Sequence, residues 1–88
     1  MQVSYHRQFE KDIEKYASPE QIQEIFDLVW KLEQVDSLRE IADIKKLAGF
    51  KQYYRYRMGE YRIGFSHNET GIRLERFLHR KDIYKRYP

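Results

Sequence analysis

The chain has 88 residues, a net charge of +3 and no cysteine. That length suits one domain over residues 1–88 with a modest core, and the missing thiols exclude disulfides, thiolate zinc sites and a cysteine nucleophile. No apolar run approaches the roughly 20 residues of a membrane span, and none follows the N-terminus as a secretion signal would, so a soluble cytoplasmic protein without membrane association is expected.

The first element in chain order is a short strand over Met1 to His6, where Val3 and Tyr5 alternate with polar neighbours. A helix follows from about Gln8 to Tyr16, with Phe9, Ile13 and Tyr16 on one face. Ser18-Pro19-Glu20-Gln21 is a strong helix start: Ser18 caps, Pro19 fits the first helical position and Gln21 completes a capping box. Ile22, Ile25, Phe26, Val29, Leu32 and Val35 then form an apolar stripe, widened by Leu28 and Trp30. These two helices make an αα-hairpin. Asp36-Ser37 ends the second helix, and Leu38 and Ile41 anchor the connection beyond it. Lys45 to Gly49 leads into a turn. Three strands follow, from about Gln52 to Met58, Tyr61 to Ser66 and Ile72 to His79, joined by Gly59-Glu60 and Asn68-Glu69-Thr70-Gly71. Such short loops imply an antiparallel meander. Arg80 to Pro88 reads as a short basic tail. The expected class is α+β, in the order β-α-α-β-β-β, with the helical hairpin packed on the antiparallel sheet.

Charge is divided unevenly along this order. Residues 1–49 hold seven Lys/Arg against ten Asp/Glu, and residues 50–88 hold ten against four. A basic half on an acidic framework suits a polyanionic partner, although a solvated sheet face would read the same way. Strand alternation sharpens the point. Tyr53, Arg55 and Arg57 share one face, and Tyr54, Tyr56 and Met58 share the other. Tyr61, Ile63 and Phe65 read as core, which leaves Arg62 and Gly64 opposite. In simple register Arg55, Arg57 and Arg62 converge on the face away from the helices, with Arg80 and then Tyr84 following nearby. Clustered guanidiniums repel unless an anion lies between them, and they fit phosphate oxygens bidentately. The third strand's faces stay unassigned, because neither alternate set is cleanly apolar and a bulge would shift them. The three histidines are scattered and no aspartates have metal-ligand spacing, so neither a metal nor another cofactor is expected. Tyr84 and Tyr87, in the basic tail, are candidates for stacking on a base or for closing the sheet.

Lys46-Leu47-Ala48-Gly49, Tyr54-Arg55-Tyr56-Arg57-Met58-Gly59-Glu60-Tyr61-Arg62-Ile63 and His79-Arg80-Lys81-Asp82-Ile83-Tyr84, in this order and in so short a chain, resemble the RelE/ParE toxin superfamily, and its RelE branch in particular. The resemblance implies the toxin of a type II toxin–antitoxin system: a ribosome-dependent endoribonuclease that cuts mRNA in the 30S A site without a metal. Its implied partners are a cognate antitoxin, the ribosome and mRNA. The implied chemistry is attack of the 2′-OH on the adjacent phosphate, giving a 2′,3′-cyclic phosphate and a free 5′-OH.

The resemblance implies catalytic roles for Arg57, Arg62, Arg80 and Tyr84. Arg62 would hold the phosphate, Arg80 would serve the leaving oxygen and Tyr84 would stack on a base. RNA contacts are implied at Lys46, Lys51, Arg55, His79 and Lys81. Arg57 stands where a general base is expected, yet arginine barely deprotonates. Either it stabilises charge while solvent or the ribosome supplies the base, or catalysis is slower; His79 is a further candidate for the base. The chain's end leaves little room for the extra C-terminal helix of some relatives. Two alternatives remain: a ParE-like DNA gyrase inhibitor, and an inactive relative that only binds antitoxin and co-represses their promoter.

Overall fold

A computed structural model describes residues 1–88. The strands are β1 (Val3–Tyr5), β2 (Ile44–Lys46), β3 (Tyr53–Met58), β4 (Tyr61–Asn68) and β5 (Gly71–His79). The helices are α1 (Arg7–Tyr16), α2 (Pro19–Gln34) and α3 (Arg80–Arg86), with one 3₁₀ turn at Leu38–Glu40. The strands form one sheet in the order β1-β5-β4-β3-β2. β2 to β5 pair antiparallel, as the short loops require, while β1 runs parallel to β5.

The helical hairpin forms as the caps dictate. The Ser18 hydroxyl accepts the Gln21 N–H at 3.1 Å, and the Gln21 side chain accepts the Ser18 N–H at 2.9 Å. Phe9 of α1 and Ile25, Leu28, Val29 and Leu32 of α2 are buried against Met58, Ile63, Phe65, Ile72, Leu74 and Phe77 of the sheet. Tyr54, Tyr56 and Tyr61 line the margin of this core. The anchors Leu38 and Ile41 are partly buried against it.

Three expectations need correction, and one left open is resolved. Phe26 and Trp30 are 61% and 63% exposed, because α2 turns Leu28 inward instead and its buried face is narrower than the apolar stripe. Residues 44–46 form an edge strand rather than the approach to a turn: β2 gains its order from pairing with β3, not from its own alternation. The C-terminal residues form α3, a helix of 7 residues. The His79 Nδ1 caps it by accepting the Lys81 N–H, and Ile83 is its buried anchor. Ile83 and Leu78 are buried apart from the main core, where α3 lies on β4 and β5. The third strand also has its bulge. The register passes from Gly64↔Arg76 to Phe65↔Leu74, leaving Glu75 unpaired. The bulge keeps Ile72, Leu74 and Phe77 in the core despite their broken alternation.

Candidate nucleic-acid site

The site is built on the β3–β4 hairpin. Arg57 pairs with Arg62 and Arg55 with Gly64, so the three arginines share the face turned away from the helical hairpin. On the next strand Lys45 pairs with Arg55 and joins them. Arg55, Arg57, Arg62, Lys45, Asp43 and Tyr84 line a basin of about 300 Å³.

Each side chain has an identifiable support. Gly59 turns the hairpin at a φ of 59°, which favours glycine. The Arg62 Nη1 donates to the carbonyls of Gly59 and Tyr61 at 2.8 and 2.9 Å, and these bonds tie the guanidinium to the turn. Arg57 donates its backbone N–H to the Asp43 carbonyl at 2.9 Å and its Nη2 to the Asp43 Oδ1 at 2.8 Å. The Arg55 guanidinium lies 4.4 Å from the centre of the Tyr84 ring. Neither Arg55 nor Arg62 makes an ion pair. The basin therefore holds four cations against one carboxylate.

Helix α3 brings the C-terminal candidates. Arg80 and Tyr84 are one turn apart on one helix face. Tyr84 covers Arg55, whereas Arg80 points to the rim. Its Nε donates to the Glu60 carboxylate at 2.7 Å and its N–H to the Glu60 carbonyl at 2.8 Å. Arg62 and Arg80 thus grip the same β3–β4 turn.

The remaining sequence candidates fall outside the basin. Lys46 pairs with Tyr54 and so belongs to the helix side of the sheet, while Lys45, one residue earlier, faces the basin. Lys51 and Lys81 are exposed in the β2–β3 loop and in the first turn of α3. His79 pairs with Tyr61, edge-on to its ring, and its Nδ1 is occupied by the cap. That placement removes His79 from the convergence of arginines. Tyr87 is not free to stack on a base. Its hydroxyl donates to the Glu75 Oε1 at 2.7 Å, and its ring covers Gly64, where a Cβ would stand 2.7 Å from it. Burial, then this donation to Glu75 and the Glu75 charge, push the Tyr87 hydroxyl well above the usual tyrosine range.

Asp43 and Lys45 are the residues that the sequence did not single out. Asp43 has a φ of 69°, in the left-handed region that Asp and Asn tolerate better than most residues. No periodicity could have revealed its pairing with a residue 14 positions away. The Tyr56 hydroxyl, raised first by burial and then by the charges of Asp43 and Glu24, also feels this carboxylate.

A mixed five-stranded sheet, covered on one face by an αα-hairpin and bearing an arginine basin on the other, defines a RelE-like fold. Residues 3–84 match the family model described as the ParE toxin of the type II toxin–antitoxin system parDE. The chain is 37% identical over 89 residues to Toxin RelE3 of Methanocaldococcus jannaschii, covering all of both chains. It superposes on the RelB–RelE antitoxin–toxin complex from Methanococcus jannaschii with a TM-score of 0.82 and 36% identity, covering 98% of this chain and 100% of that one. For the archaeal RelE–RelB complex from Pyrococcus horikoshii OT3 the values are 0.72, 26%, 90% and 93%. YafQ from E. coli, at 15% identity and a TM-score of 0.69 over 94% of this chain and 97% of that one, shares the fold. The chain belongs to the RelE/ParE superfamily and is a RelE-like toxin of a type II toxin–antitoxin system.

Proposed function

We propose that this toxin is an mRNA endonuclease that acts in the ribosomal A site by 2′-OH attack, without a metal. The observation that carries the reading is the convergence of Arg55, Arg57 and Arg62 under Tyr84, with a single carboxylate among them. A scissile phosphate placed there would meet preorganised donors for its developing charge. In this reading Arg62 holds the phosphate, Arg57 stabilises charge and Tyr84 stacks on a base, exchanging its Arg55 contact for the nucleotide. Arg80 would serve the leaving 5′ oxygen after releasing Glu60, an exposed pair that costs little to open. Lys46, Lys51, His79 and Lys81 would make outlying RNA contacts.

A cognate antitoxin is proposed as partner, since the archaeal relatives were crystallised with RelB. The exposed Phe26 and Trp30 give the hairpin an apolar surface that such a partner would cover. No helix is long and apolar enough to cross a membrane, which fits the proposed cytoplasmic site of action.

A second reading, inhibition of DNA gyrase, has the ParE description of the matching family model in its favour. Inducible expression, with mRNA 5′ ends mapped on ribosomes beside a gyrase supercoiling assay, separates the two. The nuclease reading expects new cuts within codons that vanish in Arg62→Ala and Arg80→Ala. Intact messages with lost supercoiling would sink it.

A further inference from the structure

A guanidinium cannot act as a base, so the proposed reaction lacks a proton acceptor at Arg57. The basin contains one group that can accept a proton without first losing one. We infer that Asp43 is the general base of this site, taking the proton of the attacking 2′-OH while Arg57 orients its carboxylate. The inference rests on the nuclease reading and adds to it the residue that starts the reaction.

Four observations support it. Asp43 supplies the single carboxylate among the residues lining the basin. Its Oδ1 is held 2.8 Å from the Arg57 Nη2, which places it where the arginine side chain ends and leaves the other oxygen free of any hydrogen bond. The backbone at Asp43 is left-handed, an uncommon geometry that the Arg57 N–H to Asp43 carbonyl bond fixes. From that turn Asp43 lines the basin. The pair is also open: the two side chains retain 65% and 41% of their exposure, so substrate can reach the carboxylate.

The step balances without a further reactant. Asp43 takes the proton from the 2′-OH, and the O2′ lone pair forms the O2′–P bond. The P–O5′ bond breaks with its electrons passing to O5′, which is protonated by solvent. Asp43 then returns its proton to water. The titratable groups around Asp43 are Arg57 and Arg55 of β3, Arg62 of β4 and Lys45 of β2 in the basin, and the Tyr56 hydroxyl, Lys31 of α2 and Glu40 of the 3₁₀ turn on the helix side.

The test is single-turnover cleavage of mRNA on programmed ribosomes from about pH 6 to 9. The parent, Asp43→Asn and Lys45→Gln are compared, and a 2′-deoxy mRNA reports binding. Asparagine keeps the acceptor for Arg57 and tolerates the left-handed backbone, so Asp43→Asn preserves the fold and the orientation of Arg57. The expected result is a loss of about 10²–10⁴-fold at neutral pH, with binding of the 2′-deoxy message unchanged. The Asp43→Asn rate should then climb roughly tenfold per pH unit as hydroxide replaces the missing base, while the parent stays flat. Asp43→Asn cutting within about threefold of the parent would overturn the assignment and leave the nuclease reading intact. So would a loss confined to Lys45→Gln, or a fall in binding that matches the fall in rate. A parent that cuts nothing overturns both readings together.

Discussion

The outer face of the sheet and its margin carry two groups of arginines, and the two are treated in opposite ways. At the β1 side both arginines of β5 are matched. Arg76 donates to both oxygens of Asp12, at 2.7 and 3.3 Å, and Arg73 donates to Glu75 at 2.9 Å. Glu75 also accepts from Ser66 and Tyr87, at 2.8 and 2.7 Å. Asp12 and Glu75 are buried. At the β2 side Arg55 and Arg62 have no acidic partner, and the Arg57–Asp43 pair is exposed. The matched end is a joint. β1 stops at Tyr5, so β5 loses its partner strand beyond Leu74, and Asp12 takes over by accepting the Phe77 N–H at 3.0 Å. The unmatched end stores charge that the fold does not use. A basic surface therefore signals function where its cations lack partners, not where they are most numerous.

The largest effect should come from breaking the joint. Asp12→Ala strands Arg76 and the Phe77 N–H without partners and should cost about 3–5 kcal/mol, read from urea unfolding. A loss below ~1 kcal/mol would erase the distinction between the two ends. The deficit should depend on pH. Burial pushes the Asp12 carboxyl up, but hydrogen bonds from Arg76, Phe77 and Gln8 and the Arg76 charge outweigh it and leave the group below its usual range. A depressed carboxyl stabilises the fold above its unfolded value, near 4, and loses that contribution as pH falls through the folded value. The gap between parent and Asp12→Asn should hold at neutral pH and shrink below about pH 4.

The converse test is Arg62→Ala. Cleavage should fall by about 10²–10³-fold, the cost of removing one preorganised donor. Stability should move by no more than about 0.5 kcal/mol, since its bonds lie at a surface turn. A large stability loss would make Arg62 part of the frame. Next in size is Tyr87→Phe, which removes the hydroxyl from Glu75 and should cost about 1.5 kcal/mol. Tyr87 ends the segment that carries Tyr84, so the variant also shows whether the joint steadies the basin. If it does, binding of 2′-deoxy message weakens by a few fold in step.

The two ends were not equally legible in the sequence. Arg55, Arg57 and Arg62 could be placed on one face because β3 and β4 alternate cleanly around a two-residue turn. The capping box at Ser18 was equally plain, being local. The joint was hidden. Its register depends on a bulge at Glu75, and Asp12 reads as one more polar residue of α1 until its partner 64 positions away is known. α3 and β2 escaped because 7 and 3 residues are too few to show a period, and both take their order from what they pack on. Asp43 shares that obscurity, since a left-handed turn rather than a pattern brings it to Arg57.

The smallest expected effect decides whether the comparison holds at its weakest point. Arg57 and Asp43 do form an ion pair, so the basin is not wholly unmatched. Exposed pairs contribute about 0–1 kcal/mol, because water screens the charges and two long side chains lose freedom in meeting. A double-mutant cycle on unfolding free energy, with Arg57→Ala, Asp43→Ala and both together, should return a coupling within that range. Coupling near 3 kcal/mol would place the pair beside Arg76 and Asp12 as a joint. A small coupling in stability alongside a large coupling in cleavage would instead show two side chains held together for their chemistry. That pattern is expected if Asp43 is the base and Arg57 its guide.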